Sequence, residues 1–162
     1  MSTEKRVVIT GMGTVNPLGN SVQESWEKVV QGKSGIGPIT YFDPSECAAK
    51  VAGEVRDFDY KTVYPEDSLR TAKRLDRFVH FAAAGMKEAL EQSGLDIEKD
   101  PNRIGMCIGC GMGGVKVQHD NSKALIEKGG RRVSPFYIPG AIGNIASGFL
   151  SMVYGIKGPN LS

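Results

Sequence analysis

The chain has 162 residues, of which 40% are hydrophobic and 23% are charged, and its formal net charge is +2. This composition excludes a disordered chain and a strongly basic nucleic-acid-binding protein, so no nucleic-acid partner is expected. No apolar run reaches the roughly 18–20 residues that span a bilayer, so no membrane insertion is expected. Three cysteines and the lack of an apolar leader-like segment predict a cytoplasmic protein.

The hydrophobic pattern predicts strands that alternate with helices. An apolar run over 6–10, ended by Gly11, is typical of a buried strand. Ser21 with Glu24 three residues later predicts a helix start, and Gly32 predicts its end. The other predicted elements are, in chain order, a loop over 33–66 with at most a short strand near 52–55, a helix over 68–93, a strand over 104–110, a polar helix over 118–128, a buried helix over 139–154 and the start of a strand at 158.

This alternation predicts a layered α/β fold with an at least partly parallel sheet. The last predicted strand begins only a few residues before Ser162. Because a buried strand has scarcely begun there, we expect these residues to be the N-terminal part of a longer protein.

The most informative segment is 108–114, in which four of seven residues are glycine. Glycines gather where the backbone passes close to another group or must bend. One interpretation is a turn that cradles a phosphate. The other is a mobile loop that lines a substrate channel, with Met112 as its only bulky inward side chain. The rest of the chain favours the channel loop.

Two other motifs give weaker signals. Gly11 and Gly13 follow a predicted strand, but Asn16 stands where a dinucleotide-binding loop needs its third glycine, so a tight turn is favoured. Cys107 and Cys110 have the spacing of a redox pair or half a zinc site. They lie on a predicted strand, however, and the sequence has no second pair. Chance spacing of two buried cysteines is therefore preferred.

The remaining cysteine and the two histidines lack partner patterns. Cys47 falls in a predicted loop, His80 in a helix and His119 at the start of a polar helix. A structural role or solvent exposure is favoured for all three. No metal and no cofactor is expected.

Positive charges gather in the predicted helix 68–93. Four of them have the spacing i, i+3, i+4, i+7 of one helix face: Arg70, Lys73, Arg74 and Arg77. Cations in the first turns of a helix oppose its dipole, at roughly 0.3–1 kcal/mol for each one near the end. Such crowding favours an anionic partner over a plain solvated face, and Arg131 and Arg132 could extend the patch.

Six segments, including the glycine-rich 108–114, occur in a characteristic order: 7–13 (VVITGMG), 17–20 (PLGN), 32–36 (GKSGI), 108–114 (IGCGMGG), 134–139 (SPFYIP) and 155–159 (GIKGP). Together they resemble the β-ketoacyl-[acyl-carrier-protein] synthases of type II, the elongating condensing enzymes of bacterial fatty-acid synthesis. The resemblance covers essentially the whole chain, and the ordered set is far more specific than any one segment.

The resemblance implies a thiolase fold of two similar lobes, layered α-β-α-β-α in the full protein, and a homodimer. Residues 1–162 would be the N-terminal part of the first lobe, ending at the start of its third strand, with the second lobe absent. The implied reaction is decarboxylative condensation of malonyl-carrier protein with an acyl thioester held on a cysteine, assisted by two histidines. Because all three would follow Ser162, no catalytic residue is expected in this chain, and this chain alone is expected to be inactive.

By position, the resemblance also implies roles for residues that are present. Met112 matches the gate between the cysteine and the acyl tunnel. Tyr137 and Ile142 match residues that reach the tunnel of the other subunit across the dimer interface. The residues that match the basic patches for docking the acidic acyl carrier protein are Arg70, Lys73, Arg74, Arg131 and Arg132.

Two alternatives stay open. A chain-length-factor-like subunit of a polyketide-type synthase resembles these enzymes but lacks the cysteine, and the residue that separates the two follows Ser162. A Rossmann oxidoreductase is the other alternative, and it requires binding of NAD(P).

Overall fold

The computed structural model describes residues 5–162, which form two compact units. The first unit comprises the chain up to Phe58 together with Ala84–Leu95, and the second comprises Asp59–Ala83 together with Asp96–Ser162. Among the described residues, all ten buried hydrophobic side chains belong to the second unit, which therefore holds the hydrophobic core.

Helices and strands are mixed along the chain, but they do not alternate strictly as predicted, because two strands and several helices follow one another directly. Within residues 5–162 the helices are α1 (Val22–Val30), α2 (Leu69–Ala72), α3 (Arg77–Ser93), α4 (Val115–Lys128), α5 (Tyr137–Ala141) and α6 (Ile145–Tyr154). The strands of the same range are β1 (Ile36–Pro38), β2 (Val51–Gly53), β3 (Met106–Cys107) and β4 (Asn160–Leu161). Short 3₁₀ helices cover Tyr60–Val63, Glu66–Ser68, Pro101–Arg103 and Gly130–Arg132.

Helix α1 of the first unit begins and ends where the sequence predicts. The Ser21 hydroxyl oxygen accepts a hydrogen bond from the Glu24 amide at 3.2 Å, which is the predicted capping contact. Gly32 follows the helix with a φ of +68° and stops it.

Strands β1 and β2 form an antiparallel hairpin in the stretch predicted to be mostly loop. Gly37 lies opposite Ala52 in the pairing. β2 overlaps the predicted short strand, whereas β1 is not predicted, because Gly37 and Pro38 give it no hydrophobic alternation. Beside the hairpin, Thr40 donates its hydroxyl and its amide to the Glu54 carboxylate at 2.7 and 2.8 Å. These bonds lower the pKa of Glu54 to about 2, so this buried carboxylate stays ionised.

Residues 6–10 do not form the predicted buried strand. The segment is exposed, with Val7 96% and Ile9 83% accessible. In the described part of the chain no strand pairs with it. An apolar run becomes a strand only where a neighbouring strand exchanges backbone hydrogen bonds with it. Apolar composition alone does not supply that neighbour.

The glycines after this segment allow close approach to α3 rather than the predicted tight turn. A Cβ on Gly13 would lie 1.8 Å from the carbonyl oxygen of Gly85, so only glycine fits there. The carboxylate of Glu88 accepts hydrogen bonds from the Thr14 amide at 3.0 Å and from the Val22 amide at 2.8 Å. Contacts between the backbone of this segment and helix α3 therefore hold the segment in place.

The predicted helix 68–93 is broken in two. α2 ends at Ala72 and α3 begins at Arg77. Asp76 favours the break, because its Oδ1 accepts a hydrogen bond from the Arg77 amide at 2.6 Å. Short acidic side chains that bond to the backbone favour a helix start over a helix interior.

The predicted helix 139–154 is also divided, into α5 and α6. Ile142 has an extended backbone with a ψ of 135°, which interrupts the helix. The interruption falls between Gly140 and Gly143, and glycines have low helix propensity. α6 buries Phe149 and Leu150 fully or nearly so, which confirms that this segment packs inside the unit.

Strands β3 and β4 pair in parallel, with Met106 opposite Asn160. This pairing confirms a partly parallel sheet and a strand that starts near residue 158. β3 is shorter than the predicted strand 104–110, because only as many residues form a strand as the neighbouring strand can pair. Cys107 is exposed and Cys110 is half-buried, so the expectation of two buried cysteines is wrong.

Helix α4 starts three residues before the predicted helix 118–128 and ends at the same residue. Across the described residues no helix combines the length and the apolar character needed to cross a bilayer.

Candidate functional site

The glycine-rich loop 108–114 lies directly on the backbone of α5. A Cβ on Gly113 would lie 2.2 Å from the carbonyl oxygen of Ala141, and a Cβ on Gly114 would lie 2.4 Å from that of Gly140. The Gly114 amide donates a hydrogen bond to the Ala141 carbonyl at 2.8 Å. Since no side chain fits at these two positions, the glycines serve close backbone approach, as the sequence suggests.

Met112 points away from this contact. Its side chain is 76% exposed among the described residues, whereas an inward orientation is predicted. The loop on either side is held through other groups: the Gly113 amide donates to Cys110 Sγ at 3.2 Å, and Gln118 Nε2 donates to the Met112 carbonyl at 3.4 Å. The flexible Met112 side chain is therefore free to reorient while its loop stays in contact with α5.

Tyr137 and Ile142 lie at opposite ends of the five-residue helix α5. Tyr137 is its first residue and is half-buried, and Ile142 follows its last residue and is exposed. The next residue, Gly143, lies against the loop, since its Cβ would be 3.6 Å from the Cβ and the carbonyl oxygen of Cys110. The structure thus brings the loop and the Ile142 end of α5 together, with Tyr137 at the far end.

The cations after residue 69 are exposed, but they do not form one helical stripe. Arg70 lies in α2, Lys73 caps the C-terminal end of α2, and Arg74 lies in the turn before α3. Arg70 and Lys73 are therefore near a helix C-terminus, where positive charge is favoured. The predicted conflict with a helix dipole is therefore wrong for Arg70 and Lys73, whereas Arg77 is the first residue of α3. Arg70 and Lys73 are both exposed, and among residues 5–162 these two side chains form no ion pair.

Arg74 is bound to an aromatic ring. Its guanidinium carbon lies 3.8 Å from the centroid of the Phe136 ring. Cation–π contacts of this kind contribute about 0.5–1 kcal/mol at exposed sites. Phe136 comes just before α5, so Arg74 connects the α2–α3 turn to the α5 segment.

Arg131 and Arg132 lie in the 3₁₀ helix that follows α4, and both are exposed. Within the described residues neither forms an ion pair. Arg132 comes four residues before Phe136, the ring on which Arg74 stacks. Arg74 therefore contacts the segment that follows Arg132 in the chain.

Asp76 is a residue of this site that is not predicted from the sequence. Besides the Arg77 amide, its carboxylate accepts a hydrogen bond from the Val117 amide of α4 at 3.0 Å. The signal in the sequence is an acidic residue directly before a helical run, which is typical of an N-cap. The contact with α4 has no local signal, because the two residues are 41 positions apart.

His80 is a structural residue in an aromatic cluster, as favoured from the sequence. It is 5% exposed, it stacks on Tyr60 with ring centroids 4.4 Å apart, and its Nδ1 is hydrogen-bonded to the Tyr64 hydroxyl at 3.0 Å. Burial lowers the pKa of His80 to about 4, against an opposing effect of Asp76. Burial also raises the pKa of the Tyr64 hydroxyl. Both side chains are therefore neutral at physiological pH.

In residues 5–162 no group of three or more histidine, cysteine or acidic side chains is arranged to hold a metal ion. His119 and Cys47 are exposed. None of these side chains adds chemistry to the loop and the basic residues described above.

Comparison with known sequences gives one family. Residues 4–162 match the family described as "Beta-ketoacyl synthase, N-terminal domain". The chain is 48% identical over 160 residues to the 3-oxoacyl-[acyl-carrier-protein] synthase 2 of Coxiella burnetii, covering 98% of this chain and 38% of that protein. It is 45% identical over 158 residues to the synthase of the same name from Synechocystis, covering 97% and 37%. The chain thus spans less than two fifths of the length of these curated relatives.

Comparison with solved structures finds synthases whose fold is similar to that of this chain. One similar structure is a type II polyketide acyl-carrier protein in complex with its ketosynthase, with a TM-score of 0.75, 31% identity and coverage of 94% of this chain and 40% of that one. Another is a beta-ketoacyl synthase from Burkholderia phymatum, with a TM-score of 0.77, 21% identity and coverage of 97% and 38%. The second likeness bears on the fold alone.

Proposed function

The chain belongs to the β-ketoacyl synthase family and has its thiolase-like fold, and from this premise we propose that the full-length protein is a 3-oxoacyl-[acyl-carrier-protein] synthase of fatty-acid elongation. The family match over residues 4–162 is the observation that carries the proposal. The relatives named as synthases favour a catalytic protein over a chain-length-factor-like subunit. Because the chain spans only part of these relatives, the proposed activity is that of the whole protein.

In the proposed reaction an acyl group is held as a thioester on a cysteine outside residues 1–162. Malonyl-carrier protein loses CO₂, and the electron pair of the broken bond remains on the α-carbon. This carbon attacks the acyl carbonyl, a carbon–carbon bond forms, and the cysteine thiolate leaves. Two histidines, also outside this chain, would stabilise the enolate and the thioester oxyanion.

For this chain we propose the role of the first lobe up to the start of its third strand, with acyl and malonyl thioesters as substrates. Met112 would gate the acyl tunnel. Its exposed, flexible side chain, next to Gly113, which packs against α5, supports this role. Tyr137 and Ile142 would reach the tunnel of a second subunit in a homodimer, and the exposure of Ile142 supports such a contact. A cytoplasmic location remains a prediction.

The proposed macromolecular partner is the acidic acyl carrier protein. Its docking surface would consist of Arg70, Lys73, Arg74, Arg131 and Arg132. The support is their exposure, the lack of ion pairs at all five among the described residues, and the stacking of Arg74 on Phe136, four residues after Arg132. A carrier protein occurs with the ketosynthase in one similar solved complex.

An assay of the purified full-length protein tests the function. With acyl- and malonyl-carrier proteins it should release CO₂ and form a 3-oxoacyl-carrier product in equal amounts. CO₂ release without product would indicate a decarboxylating subunit that does not condense. Absence of both would contradict the proposal.

A further inference from the structure

Asp76 is the residue at which the loop 108–114, α3 and α4 meet. Its Oδ1 accepts a hydrogen bond from the Arg77 amide at 2.6 Å, and its Oδ2 accepts one from the Val117 amide at 3.0 Å. The residue before α4 is Gly114, which has no side chain to cap the helix. One carboxylate therefore satisfies amides at the starts of two helices, and it caps α4 from a distant part of the sequence.

The same carboxylate lies against the loop that carries Met112. A Cβ on Gly114 would lie 2.9 Å from both Cβ and Oδ2 of Asp76. Gly114 is two residues from Met112, and its amide is bound to the α5 backbone. Loss of the Asp76 carboxylate would release the start of α4 and, with it, this end of the loop.

Asp76 also follows the basic residues closely, in the turn between α2 and α3. Arg74 precedes it by two positions, and the Arg74 carbonyl oxygen packs against Gly140 of α5, 3.0 Å from the position of a Cβ there. The Arg74 guanidinium stacks on Phe136. Arg74 thus contacts the α5 segment, and Asp76, two positions later in the chain, contacts α4 and the loop, which together form the kind of contiguous network that can carry coupling.

We propose that Asp76 is a positioning residue that couples the basic segment 70–74 to the Met112 loop and thereby sets the discrimination between long and short acyl chains. This inference rests on the proposed function. A carrier protein bound at the basic segment shifts the α2–α3 turn, and Asp76 transmits the shift to α4 and Gly114. Two acceptor oxygens are required, because two amides are held at once. An asparagine offers only one oxygen and places an NH₂ group against the other amide.

The first experiment follows hydrogen exchange and needs no activity. Full-length wild-type protein is compared with Asp76→Asn and with the control Asp59→Asn. The Asp59 carboxylate accepts a hydrogen bond from the Lys61 amide at 3.0 Å and caps the 3₁₀ helix Tyr60–Val63. It is therefore a similar cap at a helix that does not carry the loop. In Asp76→Asn the Val117 amide should exchange about fivefold faster, the change expected from loss of a typical cap. Unchanged exchange at Val117 would overturn the proposal.

The second experiment measures kcat/KM for a long and a short acyl-carrier substrate. The long-to-short ratio should move towards one by about threefold or more in Asp76→Asn, which corresponds to a modest coupling energy. Asp59→Asn should keep the wild-type ratio. If Asp76→Asn fails to fold, Asp76→Glu keeps both oxygens but displaces them by one methylene, and it should move the ratio in the same direction.

Equal losses for both chain lengths would overturn the coupling role, because a merely structural residue lowers both rates together. A wild-type protein that condenses neither substrate would overturn the proposed function and the selectivity role with it. In that case the exchange experiment still decides whether Asp76 holds the loop.

Discussion

Reversal of the two exposed cations at the C-terminal end of α2 gives the sharpest prediction about carrier-protein docking. Arg70 and Lys73 are exposed and form no ion pair among residues 5–162, so Arg70→Glu with Lys73→Glu should leave the packing of α2 intact. Arg74 is left unchanged, because its stacking on Phe136 gives it a structural contact as well. The double variant therefore changes the charge of the surface and little else.

The size of the effect follows from exposure. One exposed ion pair contributes about 0.2–1 kcal/mol, and charge reversal replaces that attraction with a repulsion of similar size. Each reversal should therefore cost about 0.4–2 kcal/mol, and the two together should weaken docking by about 0.8–4 kcal/mol, which corresponds to a rise of at least about fourfold in the KM for acyl-carrier protein. The defect should shrink at high salt, because screening removes the wild-type advantage.

The assay compares acyl-carrier protein with a small acyl thioester that lacks the protein, at low and high salt, in the full-length enzyme. Only the carrier-bound substrate should be affected. Lys99→Glu with Lys157→Glu is the matched control, because it makes the same charge change at two exposed lysines outside the proposed surface. Equal losses with both substrates, or the same loss in the control, would show that α2 presents only a solvated face.

Met112→Trp in the full-length protein should slow long acyl substrates more than short ones, because the larger side chain narrows the proposed tunnel; equal loss at every length would indicate misfolding instead. The 162-residue chain alone should show no condensation when assayed with both carrier-protein substrates, and cysteine-dependent turnover would contradict this. It should also self-associate in light scattering, because Val7, Ile9 and Ile126 expose large apolar surface, whereas a monodisperse monomer would refute that reasoning. Below its ordinary pKa of 6.5, an unfolded His80 binds a proton that the folded protein does not bind until about pH 4. Stability should therefore be complete above pH 6.5 and fall by about 2 kcal/mol towards pH 4, after allowance for solvent screening. The difference in urea unfolding between wild type and His80→Gln should show this change, and parallel pH curves would contradict it.

Local signals were enough to predict several features of this chain. The Ser21–Glu24 pattern and Gly32 give both ends of α1, because helix caps involve residues only a few positions apart. The run of glycines in 108–114 indicates close backbone approach, and this holds for Gly113 and Gly114, because a Cβ at either position would collide with α5. The ordered motifs identify the family without any structural information.

Features that depend on contacts between residues far apart in the sequence could not be predicted from local signals. The apolar run at 6–10 has the composition of a strand but no paired strand among residues 5–162. The hydrophobic periodicity of 68–93 predicts one helix, but the helix is interrupted before Arg77. There the Asp76 carboxylate accepts hydrogen bonds from the Arg77 amide and from the Val117 amide, 41 positions away. The hydrophobic periodicity of a sequence shows only which side chains are apolar. Hydrogen bonds between residues far apart in the sequence determine where a helix is interrupted. The positions of the cations and of the loop 108–114 relative to Asp76 are therefore determined by the tertiary structure.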